Sequence, residues 1–177
     1  ETFDKYEFKK IVTQCPHCFS TLKNDYAEMG IDLDVVHHSQ FIDELIQENK
    51  IEPQPWVDED VTFHDPCYLG RHNNEYDAPR SVLQSVLRDG RIKEMEKAKS
   101  ESFCCGAGGG NMWYEIKTGE RINQNRVKQA VSTKASTVAA ACNFCNIMLE
   151  DGVKTTQNEE NIKVLDIAEM VSQSLSK

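Results

Sequence analysis

Five cysteines define the chemistry open to this sequence. Cys67 stands in His64-Asp65-Pro66-Cys67-Tyr68, Cys104 and Cys105 are adjacent, and Cys142 and Cys145 form a C-N-F-C pair. Thirty-six residues lie between Cys67 and Cys104, and thirty-six between Cys105 and Cys142. A further pair, Cys15 and Cys18, forms C-P-H-C. Thiolates clustered this way serve as ligands for soft metals or as redox dithiols. A disulfide framework suits small secreted domains, whereas here the cysteine count is odd, the chain has 177 residues, and residues 1–10 are charged and lack the apolar run of a signal peptide. Seven cysteines packing only as small hydrophobes would not be clustered.

Among metal centres, an iron–sulfur cluster uses several soft thiolates at once, tuned by hydrogen bonds to sulfur and by burial. Cys104-Cys105 runs into Gly106-Ala107-Gly108-Gly109-Gly110, where backbone N–H groups can approach sulfur without an intervening Cβ. Gly106, Gly108 and Gly109 are therefore candidate cofactor contacts. The same run lacks the third glycine of G-x-G-x-x-G, because position 111 is Asn, so it is a poor dinucleotide cradle. Cys142 and Cys145 are expected at a helix start, where free N–H groups favour negative charge. Zinc is an alternative, since four thiolates suit it and a subset of the five, or the Cys15–Cys18 pair, would serve. A thioredoxin-type dithiol at C-P-H-C is another, but it leaves five cysteines unexplained. Arg71, Arg80 and Arg121 are candidate counter-charges, with a solvated surface role as the plain alternative. His64 and His72 bracket Cys67 and are read as shaping its pocket rather than as ligands. Trp113 and Tyr114 are read as core or cluster-shielding residues.

Elements must position these groups. Strands are expected at 8–13, 33–36, 61–64, 92–95, 136–141 and 162–165. Helices are expected at 19–29, 40–49, 79–87, 119–131, 146–152 and 167–175. Cys67 is expected in a loop, and the charge-rich stretches 43–49 and 94–101 on solvated helix faces. Strands alternating with helices predict an α/β fold with a largely parallel sheet. Lys10-Ile-Val-Thr-Gln-Cys15-Pro-His-Cys18 matches Thr137-Val-Ala-Ala-Ala-Cys142-Asn-Phe-Cys145, and Val35-Val36-His37 matches Val164-Leu165-Asp166. One β-(CxxC)-α-β-α unit therefore occurs twice. The reading is the end of a first repeat at 1–51, a Pro-bearing linker at 52–60 and a complete second repeat at 61–177. The first copy's double cysteine would lie about 37 residues before Cys15, so the first repeat is expected to be truncated.

The net charge of −9 excludes the basic stripe that nucleic-acid binding requires. No window approaches the roughly 18 apolar residues of a membrane span, and a cytoplasmic domain is expected.

The pattern Cys67, Cys104-Cys105-Gly106, Cys142-x-x-Cys145, with His64-Asp-Pro-Cys-Tyr-Leu-Gly-Arg71 and the run from Cys15 to Leu22, resembles the CCG, or cysteine-rich, domain. That domain occurs in heterodisulfide reductases and in the iron–sulfur components of glycolate and lactate oxidation systems. The resemblance implies a non-cubane [4Fe–4S] cluster on Cys67, Cys104, Cys105, Cys142 and Cys145, with Cys15 and Cys18 as part of a second, incomplete site. It further implies electron transfer from a flavoprotein or iron–sulfur donor to a quinone or disulfide acceptor, through other subunits or upstream domains. The C-P-H-C-F-S-T-L-K-N run is most similar to the membrane-linked, electron-transferring-flavoprotein or quinone-coupled branch, so membrane association would come through the full-length protein. A zinc-stapled docking module is the alternative class.

Overall fold

Short β-branched and small apolar runs form the strands. The structure is a computed structural model, and it describes residues 3–114 and 118–175. β1 (Ile11–Thr13) and β2 (Val35–His37) make a two-stranded sheet. β3 (Val61–His64), β4 (Thr137–Ala140) and β5 (Lys163–Asp166) make a second sheet in the order β3-β4-β5. Every strand pairing is parallel, with Val61 opposite Thr137 and Thr137 opposite Lys163. All four residues of β3 and of β4 are buried, the pattern of a parallel sheet covered on both faces. The expected α/β class with a parallel sheet is what forms.

Side chains alternate between two cores, as the period of a strand requires. Phe63, Ala139 and Leu165 face one core, completed by α3 (His38–Gln47), α5 (Asp77–Val86) and α8 (Ile167–Leu175) through residues such as Ile42, Leu83 and Met170. Val138, Ala140 and Val164 face the other, completed by α6 (Ile122–Ser132) and α7 (Asn143–Thr155) through Val127, Ala130 and Leu149. Phe63, Leu83 and Leu149 are wholly buried, each worth roughly 1.5–3 kcal/mol. Gly152 of α7 lets α6 approach, because a Cβ there would lie 2.7 Å from Val127 Cγ2 and 3.0 Å from the Asn123 carbonyl oxygen.

Several boundaries differ from expectation. The first helix begins as α1 (Pro16–Ser20), since proline suits the first helical turn, and continues through a π-helical stretch, Thr21–Asp25, into α2 (Tyr26–Glu28). The strand expected at 92–95 reduces to one bridge between Ile92 and Val61, because Met95 turns off the sheet edge into the second core. Cys67 opens a helical turn, α4 (Cys67–Gly70), rather than sitting in a loop, with Pro66 as its N-cap.

The paired units share their caps. Cys15 is the N-cap of α1 and Cys142 the N-cap of α7. At α3 the Ser39 N–H donates to His37 Nδ1 (3.3 Å) while the His37 N–H donates to Gln40 Oε1 (3.1 Å). At α8 the Ala168 N–H donates to Asp166 Oδ1 (2.8 Å) while the Asp166 N–H donates to Glu169 Oε2 (2.8 Å). These are reciprocal caps of one form. They also meet, with His38 Nε2 donating to Asp166 Oδ1 at 3.2 Å and Asn146 Nδ2 to Asp166 Oδ2 at 3.2 Å. Among the described residues, no helix is long and apolar enough to cross a membrane.

Candidate metal centre

The cysteines follow the carboxyl ends of the strands, where open parallel sheets place their ligands. β3 delivers His64, Asp65, Pro66 and Cys67, and β4 delivers Cys142 and then Cys145 on α7. Cys104 and Cys105 come from the crossover between β3 and β4. That crossover is anchored by Ser102, whose Oγ donates to the Asp65 carbonyl (3.0 Å) and whose carbonyl accepts Arg71 Nη1 (2.6 Å). Gly106 donates its N–H to Cys104 Sγ at 3.2 Å. Its φ is +94°, and a Cβ would sit 3.2 Å from Ile122 Cβ. A side chain there would strain the backbone and crowd α6.

Cys105, Cys142 and Cys145 are buried, and Cys67 and Cys104 are half-buried. Sγ of Cys105, Sγ of Cys145 and a ring nitrogen of His64 all lie within 4.8 Å of one another. Cys105 is the most acidic thiol of the set, because Cys104 and Cys145 donate to its sulfur and His64 assists them. The same bonds push Cys104 and Cys145 up, with burial adding to both. Cys142 is lowered by the thiol of Cys145 and by the N–H groups of Cys145 and Phe144 at the head of α7. Burial raises Cys67, with the Cys105 charge adding to it and Arg71 opposing. Four sulfurs share protons this way and Cys67 joins them through the charges of Cys105 and Cys142, so the five form one electrostatic unit.

A buried guanidinium stands behind it. Arg126 on α6 is 0% exposed. Nε donates to His64 Nδ1 (2.9 Å), Nη1 to the Lys97 carbonyl (2.8 Å) and Gln129 Oε1 (2.8 Å), and Nη2 to Ser102 Oγ (3.2 Å). Burial brings its pKa down to about 10, against the pull of Asp65, Cys145 and Cys105, so it stays cationic at neutral pH. Sequence reading missed this residue. The sequence carried little signal for it, because α6 reads as a polar helix and the structure alone shows Asn123, Arg126, Val127 and Ala130 as its buried positions.

Of the three arginines singled out from sequence, Arg71 acts on Cys67 and the other two are engaged elsewhere. Arg80 forks onto Asp65 (2.8 and 3.0 Å) and also pairs with Glu94, Arg121 pairs with Asp151 (3.1 Å), and Arg71 holds the Ser102 carbonyl. Trp113 and Tyr114 are not core, at 80% and 75% exposed. His64 is buried beside Cys105 and Cys145 rather than shaping a pocket around Cys67, and His72 stacks on Tyr68 at 4.2 Å. Gly108 and Gly109 are exposed. With His17, Met112, Trp113 and Phe144 they line a groove of about 220 Å³. Cys15 and Cys18 stay outside the five-sulfur unit. Cys15 Sγ is 3.7 Å from His17 Nδ1, Cys18 is exposed, and the His17 ring packs on Tyr68 at 4.1 Å.

The donor set is soft, partly anionic and backed by a cation, which fits a thiolate-bound iron–sulfur group. The model of the Cysteine-rich domain family, CCG, matches residues 61–150. The chain is 42% identical over 173 residues to the "Probable iron-sulfur-binding oxidoreductase FadF" of Bacillus subtilis, covering 98% of this chain and 24% of that protein. It is 42% identical over 178 residues to the "EtfAB:quinone oxidoreductase" of Syntrophomonas wolfei, covering 97% and 25%. It is 35% identical over 178 residues to a component polypeptide of the dihydromethanophenazine:CoB–CoM heterodisulfide reductase of Methanosarcina barkeri, covering 99% and 43%. The chain thus spans about a quarter of the first two relatives and under half of the third. Thiolate gathering, sheet topology and the matched family model together make this chain a member of the cysteine-rich CCG family.

Proposed function

We propose that the domain holds one [4Fe–4S] cluster, non-cubane in form, on Cys67, Cys104, Cys105, Cys142 and Cys145. Within a larger oxidoreductase it relays electrons from a flavoprotein or iron–sulfur donor to a quinone or disulfide acceptor. The reading is supported by the sulfur-to-sulfur links among Cys104, Cys105, Cys142 and Cys145, with Cys67 within reach of their charge, beside a buried cation that makes no carboxylate ion pair among the described residues. The names of the relatives favour this direction, since one is an EtfAB:quinone oxidoreductase and another belongs to a heterodisulfide reductase. When bound, the cluster supplies reversible electron storage. The chain's own part is to hold the thiolates, to aim the N–H groups of Gly106, Phe144 and Cys145 at sulfur, and to exclude water through the burial of Cys105, Cys142 and Cys145. The groove beside Gly108 and Gly109 is where an acceptor approaches. Cys15 and Cys18 belong to a second, incomplete ligand set across His17.

A zinc site is the second reading, favoured by His64, Cys105 and Cys145 lying within 4.8 Å of one another and by zinc's taste for mixed nitrogen and sulfur ligands. Anaerobic reconstitution with iron and sulfide separates the two. Bound iron, acid-labile sulfide, visible absorption and an EPR signal in one redox state are expected. Zinc alone, with no iron-dependent absorption after reconstitution, overturns the electron-relay reading.

A further inference from the structure

We propose that Arg126 and His64 act as a positioning pair, in which the guanidinium fixes the imidazole so that it donates a hydrogen bond to the Cys105 sulfur and is not a metal ligand. The assignment rests on the five-cysteine reading of the centre. Arginine carries only donors, and Arg126 Nε points at His64 Nδ1 from 2.9 Å. Nδ1 must therefore accept, and a neutral imidazole in that role carries its proton on Nε2. Its single lone pair is then taken, so the ring has nothing to give a metal while this bond stands. Toward sulfur it can act only as a donor. The geometry gives it a target, since a ring nitrogen lies within 4.8 Å of both Cys105 and Cys145 sulfurs.

The energetics point the same way. A wholly buried cation is costly unless an anion compensates it. Every hydrogen-bond partner of Arg126 is neutral: His64, the Lys97 carbonyl, Gln129 and Ser102. The nearby buried carboxylate, Asp65, is gripped by the fork of Arg80 and by the Lys99 N–H. Beside Asp65 and Glu94, both held by Arg80, the thiolates of Cys145 and Cys105 are the anions that act on Arg126, and His64 is the bridge. The other donors of the guanidinium lock it in place. Ser102 ties it to the segment leading into Cys104, and Lys97 ties it to the crossover. Donated protons and positive charge beside thiolate sulfur favour the reduced, more negative centre. The pair should therefore raise the reduction potential without contributing a ligand.

The test compares anaerobically reconstituted wild type with His64→Asn, Arg126→Gln and Arg126→Lys, reading iron and sulfide per chain, EPR line shape and reduction potential. Circular dichroism of each variant controls for folding. Expected are wild-type iron and sulfide in all three. The reduced-to-oxidised ratio at fixed potential should fall roughly tenfold, a downward shift of ~59 mV for one electron, in His64→Asn and Arg126→Gln, with partial recovery in Arg126→Lys. Loss of iron in His64→Asn to the level of a Cys105→Ala variant would make His64 a ligand and overturn the proposal. Full loading with an unshifted potential in both His64→Asn and Arg126→Gln would overturn it as well. Failure of the wild type itself to take up iron would instead sink the cluster reading. If Arg126→Gln does not fold, His64→Asn alone still decides between ligand and donor.

Discussion

Cys15–Cys18 and Cys142–Cys145 occupy equivalent places in the two repeats, and their surroundings diverge. Each pair follows a parallel strand, and each first cysteine caps a helix. Yet Cys145 is 3% exposed while its counterpart Cys18 is exposed, and Cys142 is buried while Cys15 is only half-buried. The second pair meets Cys105, His64 and, behind them, Arg126, whereas burial and its own partner Cys18 govern Cys15. A C-x-x-C at a helix start is therefore a frame that becomes a centre only when other segments close over it. The helices repeat the contrast. α7 is regular across thirteen residues and buries Leu149, while the corresponding stretch after Cys18 is π-helical over Thr21–Asp25 and buries none of those residues.

The largest effect that could break this comparison is loss of metal. Cys105→Ala should abolish cluster loading, while Cys18→Ser leaves iron per chain unchanged. Equal losses in both would mean that the two pairs share one centre. Next in size is packing. Leu149→Ala should cost about 2–5 kcal/mol in a denaturant melt, and the matching Leu22→Ala, half-buried, less than about 1.5 kcal/mol. Equal costs would show the first repeat to be packed as tightly as the second. Gly152→Ala should then cost about 1–3 kcal/mol by overpacking against Val127, readable as a lowered midpoint with an unchanged denaturant slope.

A pH-dependent effect separates the two helix caps. Burial, with the adjacent His38, draws the His37 pKa down to about 3, below its unfolded value of about 6.5. The unfolded chain thus binds the extra proton between those values, so stability falls as pH drops through that window, by up to about 1.4 kcal/mol per pH unit. Burial alone would raise Asp166, but its bonds to His38, to the Ala168 N–H and to the Gln14 side chain outweigh it and depress the carboxyl. Its contribution is complete above its unfolded pKa of about 3.9 and lost only in stronger acid. Amide protection factors at the head of α3 should fall near pH 5 while those at the head of α8 hold. His37→Asn, which keeps a cap acceptor, should flatten the slope, and an unchanged slope would remove His37 as its source.

Much of this was legible in the chain itself. The cysteine spacing announced thiolate chemistry, the repeated strand–C-x-x-C–helix unit announced paired parallel elements, and the short apolar runs marked β3 and β4 within a residue or two. What stayed hidden depended on tertiary context. Arg126 lies among Asn123, Gln124, Asn125, Lys128 and Gln129, so its helix reads as polar until its buried stripe is known. The segment 92–95 opens on the strand-forming Ile92, but Met95 is claimed by the second core. Trp113 and Tyr114 are large aromatics and read as interior, yet they follow a run of glycines with left-handed backbone at Gly109 and Gly110 that leaves them in solvent. Arg71, sought near the cysteines in sequence, does act on Cys67, whereas the buried counter-charge comes on α6 from more than twenty residues beyond Cys104-Cys105.

Asp166 does two things at once: it caps α8 and it accepts His38 from the other repeat and Asn146 from α7. Its bond to His38 is one of several polar contacts that fix the two units against each other, beside Asn24 on Asn73 and Ser81 on Asp43. Within that set Asp166 serves three elements at once, since it ends β5, caps α8 and holds the histidine that opens α3.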